Sequence, residues 1–335
     1  MLPVALLVVG GNYFIDPANL FGSKNYVSNI ADLLVRGNNA DNISNYDERL
    51  LQLELTKRIE TTPDIVVLGS SRIMEIGSEF FPGKIVRNMG VSHANIYDIV
   101  SVMGILDSLG HLPSEIYLNV DPGLFELEAT TEWQSIEPFY DHMANRYRVG
   151  KASRQSLTYT AFKKKLTLFS FEYFQEALQF KWKGGTKKII DAGKAKPTSY
   201  GRYADGSIAY PSSYINPDTV VVAKIAVDQV VEKNKYEMDP AKEKVFDELL
   251  QFFKAKKIKV HFVMIPFHPF YLKAMNEKFD QIFSFYENQF RAVAASSGIE
   301  VIGSFNGSSY ALTNPFFYDS FHCSLEGIQK IFKSN

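Results

Sequence analysis

The sequence has 335 residues and a mass of 37.9 kDa, enough for one large domain or two ordinary ones. Hydrophobic residues make up 46% and charged residues 22%, which is a globular composition and excludes a disordered chain, a collagen-like repeat and a polytopic membrane protein. The single cysteine, Cys323, excludes an intramolecular disulfide and a cysteine-based zinc site. The net charge of −1 argues against a dedicated nucleic-acid binder.

The chain opens with an apolar run from Leu2 to Val9. This run is too short to span a bilayer, since a spanning helix needs about 20 residues. It also lacks the basic region and the cleavage site of a secretory signal peptide. Two interpretations stay open for residues 1–20: a buried strand or helix start, and the remnant of a membrane anchor. Residues 21–335 then form the main domain.

Short apolar runs alternate with helical patterns along much of the chain. After an amphipathic helix over 46–59, the patterns predict strands over 64–68, 84–88, 115–120, 258–265 and 300–302, and helices over 93–109, 240–256, 271–296 and 324–332. Strands that alternate with helices predict a parallel sheet covered on both faces. The ligand site of such a sheet lies beyond the carboxyl ends of its strands.

A long segment, about residues 124–216, breaks this alternation. It contains both tryptophans, Trp133 and Trp182, together with many Tyr and Phe residues. Because a loop of that length without structure of its own is improbable, we expect a helical and aromatic insertion that folds over the sheet as a cap.

Two serines, Ser70 and Ser71, directly follow the glycine that ends the first predicted strand. A serine at this position lies at the top of the sheet, and amides at a helix start can stabilise an oxyanion there. An ordinary helix-capping turn would give the same short motif. The motif alone therefore leaves a structural and a catalytic interpretation open.

An acid and a histidine, Asp319 and His322, stand three residues apart just before the last predicted helix. An aspartate at this spacing can orient an imidazole whose other nitrogen faces a serine, and a serine nucleophile needs such a base. A surface turn is the alternative. In addition, Asn88 and Gly90 end the second strand, and a glycine there lets a backbone amide approach an oxyanion closely.

In this order the three motifs resemble those of the SGNH (GDSL-type) hydrolase superfamily. The Gly-Ser-Ser-Arg form resembles the membrane-tethered acyl-transfer branch, which includes the DltD-like proteins of teichoic-acid D-alanylation and the AlgJ/AlgX-like polysaccharide acetylation proteins. The resemblance covers residues 60–123 and 240–335. It implies a three-layer α/β sandwich with a central parallel sheet, SGNH-like and flavodoxin-like, and an envelope location, membrane-anchored or extracytoplasmic.

The resemblance also implies roles for individual residues. Ser71 is the expected nucleophile, His322 the base and Asp319 the acid that orients it. The amides of Ser71 and Gly90 are the expected oxyanion donors. Asn119 is a weaker third candidate, because the Gly-x-Asn-Asp motif of the family is not intact in Leu118-Asn119-Val120-Asp121.

Several further side chains are candidates for the wall of a substrate pocket. Arg72 would bind a carboxylate or phosphate, or simply pair with an acid, and His268 would line the pocket or pack in a loop. These candidates are Ser70, Arg72, Asn88, Asp121 and His268. The histidines show no metal-ligand spacing and no phosphate-binding loop is present, so we expect neither a metal nor a cofactor.

Charge is unevenly distributed along the chain. Residues 151–200 carry 11 Lys and Arg against three acids, a net +8, whereas the rest of the chain carries −9. Aromatic residues lie between these lysines. A solvated helix surface explains the pattern in one interpretation, and a patch that contacts an anionic surface or lipid headgroups explains it in the other.

Three functions stay open at this point. The first is an O-acyltransferase or esterase that acts on a cell-surface polysaccharide or related glycan, together with a membrane acyl-transfer partner. The second is a non-catalytic binding or scaffold protein that keeps the fold and holds an anionic polymer or a membrane partner. The third is a soluble lipolytic esterase, for which the apolar start is structural and a cytoplasmic location stays open. None of the three involves nucleic acid.

Overall fold

A computed structural model describes residues 2–17, 21, 23–127, 130–152, 166–182, 184, 188–216, 222, 238–275 and 280–334. This part of the chain is a mixed α/β protein that contains a five-stranded sheet with all strands parallel. In spatial order the strands are β3 (Val86–Asn88), β2 (Ile65–Leu68), β4 (Glu115–Asn119), β8 (Lys259–Met264) and β9 (Glu300–Gly303).

The parallel sheet is covered on both faces, as the alternating pattern predicts. In β2, Ile65 and Val67 belong to one cluster of buried side chains, and Val66 and Leu68 belong to the other. The larger cluster includes side chains of five helices, α4 (Ile96–Leu109), α5 (Glu137–Tyr147), α8 (Pro240–Lys256), α9 (Pro269–Met275) and α10 (Phe285–Ser297). The smaller cluster includes side chains of α11 (Leu325–Lys333). The strands are continuous apolar runs in the sequence because both faces of the sheet are buried.

A second, four-stranded antiparallel sheet joins distant parts of the chain. Its strands are β5 (Ile190–Gly193), β1 (Asn39–Asp41), β6 (Gly201–Arg202) and β7 (Ile208–Ala209), in that order. Beside it, α2 (Ser23–Val35) and α3 (Glu48–Thr56) bury a third apolar cluster. The sequence patterns missed α2 and β1. The expected cap is therefore not built from residues 124–216 alone.

The insertion also contributes to the main core. Trp133 is only 1% exposed and, with Tyr140 of α5, packs against Tyr97 of α4. In the described residues of the insertion, the other α-helices are α6 (Phe171–Trp182) and the short α7 (Ser212–Ile215). Its first part is thus a layer of the α/β core rather than a cap.

The apolar N-terminal segment is a helix, α1 (Leu2–Ile15), that packs along α6. The buried side-chain amide of Asn12 donates hydrogen bonds to the carbonyl oxygens of Thr167, Leu168 and Ser170, at 3.2, 2.9 and 2.8 Å. Among the described residues, no helix is long and apolar enough to cross a membrane.

One predicted helix is divided in the structure. The pattern over 271–296 contains no proline or glycine and therefore predicts a continuous helix. The structure instead has α9 (Pro269–Met275), a π-helical segment (Asp280–Ser284) and then α10, while residues 276–279 lie outside the described part. The other predicted helices and the five predicted strands are confirmed to within about three residues at each end.

Candidate active site

The end of β2 places Ser71 beside the end of β4. Gly69 has a φ of +150°, and a Cβ on it would lie 2.3 Å from Cβ of Asn119, so only glycine lets the chain pass there. Ser70 then caps a 3₁₀ turn, Ser71–Ile73, and donates its hydroxyl proton to Asn119 Oδ1 at 2.9 Å. As the first residue of that turn, Ser71 has an amide without an intrahelical acceptor.

A tight turn before α11 holds the acid and the histidine. Asp319 Oδ1 accepts the backbone amides of Phe321 and His322, both at 2.8 Å. The amide of Tyr318 donates to the carbonyl oxygen of His322 at 2.9 Å and closes the turn. These bonds fix the carboxylate and the imidazole relative to each other.

The three residues predicted to form a triad lie in hydrogen-bond contact. His322 Nε2 is 2.8 Å from Ser71 Oγ, and His322 Nδ1 is 2.7 Å from Asp319 Oδ2. The side chains of His322 and Asp319 are 19% and 27% exposed, so the pair is accessible from one side. This is the relative geometry that a general base needs in order to take a proton from a serine hydroxyl.

The surroundings of Asp319 favour the ionised form of its carboxyl group. Burial raises its pKa, but the hydrogen bond and the charge of His322, with the hydrogen bonds from Tyr214 and the Phe321 amide, outweigh burial and hold the pKa below its ordinary value. An ionised Asp319 can stabilise an imidazolium on His322.

Sequence patterns missed one residue of this site, Tyr214 of α7. Its hydroxyl donates to Asp319 Oδ2 at 2.7 Å and lies 3.1 Å from His322 Nδ1. Its ring packs against Tyr210 and Tyr318, with centroids 4.7 and 5.5 Å away. No spacing in the sequence links position 214 to the turn before α11.

Arg72 and Asp121 form a buried ion pair instead of facing a substrate. Arg72 Nη1 lies 3.3 Å from Asp121 Oδ2, and the guanidinium carbon is 3.6 Å from the centroid of the Phe267 ring. Arg72 also donates to the carbonyl oxygens of Phe321, at 3.1 Å, and Ile265. Arg72 therefore links the ends of the strands. Of its two predicted roles, the pairing with an acid is the one observed.

The amide of Gly90 already donates a hydrogen bond to another residue of the protein. It is therefore not the free oxyanion donor that the resemblance implied. It donates to Asn88 Oδ1 at 2.9 Å, while Asn88 Nδ2 donates to the carbonyl oxygens of Ile73 and Ile76, both at 2.9 Å. Asn88 is 1% exposed and so braces the turn after Ser71 rather than lining a pocket. Asn119 Nδ2 donates one of its two protons to the carbonyl oxygen of Val263, at 3.2 Å.

His268 is fully buried and does not line a substrate pocket. Its amide donates to the carbonyl oxygen of Ser320 at 3.0 Å, and its Nδ1 accepts the amide of Phe270 at 3.1 Å. Burial lowers the pKa of its imidazole. His268 thus packs as a loop histidine that supports the turn carrying Asp319.

A cavity of about 610 Å³ lies beside the aromatic side chains that border the site. Tyr210 and Tyr318 line it, and so do Glu75 and Lys196. Tyr318 donates its hydroxyl proton to Glu75 Oε1 at 3.2 Å. This cavity is separate from the hydroxyl of Ser71.

The predicted basic patch falls largely outside the described residues. Of its 11 cationic side chains, Arg154, Lys163, Lys164, Lys165, Lys183 and Lys187 are not described. The described ones are Lys151, Lys181, Lys188, Lys194 and Lys196. The patch therefore stays a prediction.

Fold and site together define an α/β protein in which a serine, a histidine and an aspartate meet beyond the carboxyl ends of a parallel sheet. No family model matches the sequence, and no curated protein shows significant similarity to it.

Proposed function

We propose that this chain is a serine-dependent acyl-ester enzyme of SGNH type, an O-acyltransferase or esterase that acts on a cell-surface polysaccharide or related glycan. The observation that carries the proposal is the continuous contact from Ser71 Oγ to His322 Nε2, at 2.8 Å, and from His322 Nδ1 to Asp319 Oδ2, at 2.7 Å. The order of the three motifs along the chain supports it independently.

In this mechanism Ser71 Oγ attacks the acyl carbonyl carbon while His322 Nε2 takes the hydroxyl proton. Asp319 stabilises the imidazolium that forms. His322 then gives the proton to the departing alcohol, which leaves an acyl group on Ser71. A sugar hydroxyl or water, deprotonated by His322, attacks this acyl-enzyme and releases Ser71.

The oxyanion of the tetrahedral intermediate would be held chiefly by the amide of Ser71. The amide of Gly90 joins it only when its bond to Asn88 opens, and Asn119 has one side-chain proton left to offer. Since each missing donor costs a factor of about 10² to 10³ in rate, we expect slow hydrolysis.

A membrane-surface location belongs to the same proposal. In the paired helices, α1 exposes Val4, Leu6 and Leu7, and α6 exposes Phe171 and Leu178. Phe14 and Trp182, 84% and 93% exposed, add large aromatic surfaces. Exposed aromatic and aliphatic side chains on adjacent helices suit the headgroup region of a bilayer. This supports an envelope location at a membrane.

The test is reaction with a serine-directed fluorophosphonate, measured together with hydrolysis of a chromogenic acetate ester. We expect the wild type to be labelled and Ser71→Ala to lose both activities, while the matched variant Ser308→Ala, at an exposed serine, keeps them. Equal labelling and hydrolysis in Ser71→Ala and wild type would overturn the proposal.

A second function, a non-catalytic binding protein, is favoured by the engaged amide of Gly90. For such a protein, binding to an anionic polymer would survive Ser71→Ala and would disappear when Lys163, Lys164 and Lys165 are neutralised. Salt titration of that binding separates it from the enzyme.

A further inference from the structure

The insertion contributes a side chain to the Asp319–His322 pair. We infer that Tyr214 of α7 is a positioning residue for this pair, and the inference rests on the acyl-ester function proposed above. Tyr214 does not contact the hydroxyl of Ser71 in the described contacts; it acts through the carboxylate that orients His322.

The hydrogen bonds of Asp319 carry the inference. An ionised carboxylate has about four acceptor positions, two on each oxygen. Oδ1 accepts two backbone amides and also lies 2.9 Å from His322 Nδ1, whereas Oδ2 accepts the imidazole of His322 and the hydroxyl of Tyr214, both at 2.7 Å. Tyr214 thus supplies the fourth donor, and it is the donor that binds Oδ2 besides His322.

The position of this hydroxyl is set by the insertion. Pro211 precedes α7, and the ring of Tyr214 packs against Tyr210, Tyr318 and, at 6.3 Å, Tyr200. Burial and the nearby charge of Asp319 raise the pKa of Tyr214, so its hydroxyl stays a proton donor. The insertion therefore contacts the catalytic turn through the hydrogen bond of the Tyr214 hydroxyl and through ring packing against Tyr318.

The experiment compares Tyr214→Phe with wild type in the labelling and ester assays. Because Asp319 then loses a donor that fixes its orientation towards His322 Nδ1, we expect the labelling rate and kcat to fall about tenfold, with KM unchanged. We also expect the pH midpoint of labelling to rise, since a carboxylate with one donor fewer stabilises the imidazolium more strongly. The titratable and charged groups that face the pair are Tyr200, Tyr210, Tyr214, Tyr318, His268 and, through the backbone of its turn, Arg72.

Tyr200→Phe is the matched control. Its ring belongs to the same aromatic group, but none of the described hydrogen bonds of Asp319 or His322 comes from Tyr200. A purely structural role of the aromatic group would move both variants alike. Labelling rate and pH midpoint equal to those of wild type in Tyr214→Phe would overturn the inference.

A further comparison separates this inference from the proposed function. In an Asp319→Asn background, Tyr214→Phe should have no additional effect on labelling, and a full additional loss would contradict action through Asp319. If Ser71→Ala shows that the chain is not an acyl enzyme, NMR titration of the His322 ring still tests whether Tyr214 acts on the Asp319–His322 pair. An unchanged pH midpoint of that titration in Tyr214→Phe would count against the inference. Tyr214→Met repeats each measurement if the Phe variant unfolds.

Discussion

The guanidinium of Arg72 donates from Nε to the carbonyl oxygen of Phe321, 3.1 Å away, and so ties the turn after β2 to the turn that carries His322. The same side chain pairs with Asp121 after β4 and donates to the carbonyl oxygen of Ile265 after β8. One buried cation therefore connects three strand ends and the catalytic turn. This arrangement explains how Ser71 and His322, far apart in sequence, keep a separation of 2.8 Å.

Replacement of Arg72 by Met should destabilise the fold strongly. The change leaves Asp121 as an unpaired, largely buried charge, and breaking a buried pair in this way costs about 3–5 kcal/mol. Urea unfolding measures the loss. Lys244→Met, at an exposed position of α8, is the control and should change the unfolding free energy by less than about 1 kcal/mol. Similar free energies of unfolding for the two variants would show that the Arg72–Asp121 pair does not stabilise the fold.

The stability of the protein should depend on the ionisation of Glu75. Burial raises the pKa of this carboxyl from 4.5 to about 8, despite the hydrogen bond from Tyr318 and the charge of Lys196. The folded state therefore prefers the protonated form. Its contribution to stability is full below pH 4.5 and is lost as the pH rises through about 8.

Glu75→Gln tests this dependence, because the amide stays neutral and still accepts the hydroxyl of Tyr318. At pH 8.5 we expect the variant to be more stable than wild type by about 4 kcal/mol, and at pH 4.5 to be nearly equal. Thermal unfolding at the two pH values measures the difference. Glu60→Gln, at an exposed site, should show no such pH-dependent gain. A gain of the same size at both pH values would indicate a packing effect.

Two adjacent glycines of α1 should respond oppositely to alanine. A Cβ at Gly10 meets no atom within 4 Å, so Gly10→Ala should stabilise the helix by about 0.5–1 kcal/mol. A Cβ at Gly11 would lie 2.3 Å from the ring of Phe174, so Gly11→Ala should loosen the contact between α1 and α6. Limited proteolysis at α1 distinguishes the two. Equal cleavage rates would argue against this packing.

Membrane binding should depend on Phe14 and Trp182, the two most exposed aromatic side chains among the described residues. We expect the double variant Phe14→Ser, Trp182→Ser to bind anionic phospholipid vesicles at least tenfold more weakly, because two large apolar surfaces no longer enter the interface. Co-sedimentation measures the binding. Ile85→Ser, an exposed apolar residue outside α1 and α6, is the control and should bind like wild type. Unchanged sedimentation of the double variant would remove the support for a membrane-surface location.

Much of the α/β core could be predicted from the sequence because its strands are buried on both faces. Ile65 to Leu68, for example, form an apolar run that ends in Gly69, and such a run has few other structural solutions. The contact between Ser71 and His322 was an expectation from the resemblance of their motifs to those of SGNH hydrolases. The helix α2 was missed, although Val27, Ile30, Ala31 and Leu34 repeat at helical spacing.

Other parts of the site depend on contacts that no local pattern contains. The hydrogen bond from the Gly90 amide to Asn88 Oδ1 depends on the side-chain rotamer of Asn88. A glycine at this position gives the same sequence pattern whether its amide is free or hydrogen-bonded. Tyr214 reaches Asp319 because α7, which follows β7 of the second sheet, lies beside the turn before α11, and that sheet includes strands of two or three residues. Strands so short leave no periodic pattern.

The second sheet has a consequence for the order of folding. The first strand of the chain, β1, pairs on one side through Ala40 with Asp191 and on the other side with Arg202. During synthesis its edges stay unpaired until most of the insertion has been made, and pairings so distant in sequence form slowly. Residues 23–56 therefore lack the sheet partners of β1 during much of translation, and an N-terminal fragment that ends before residue 190 should be prone to aggregation.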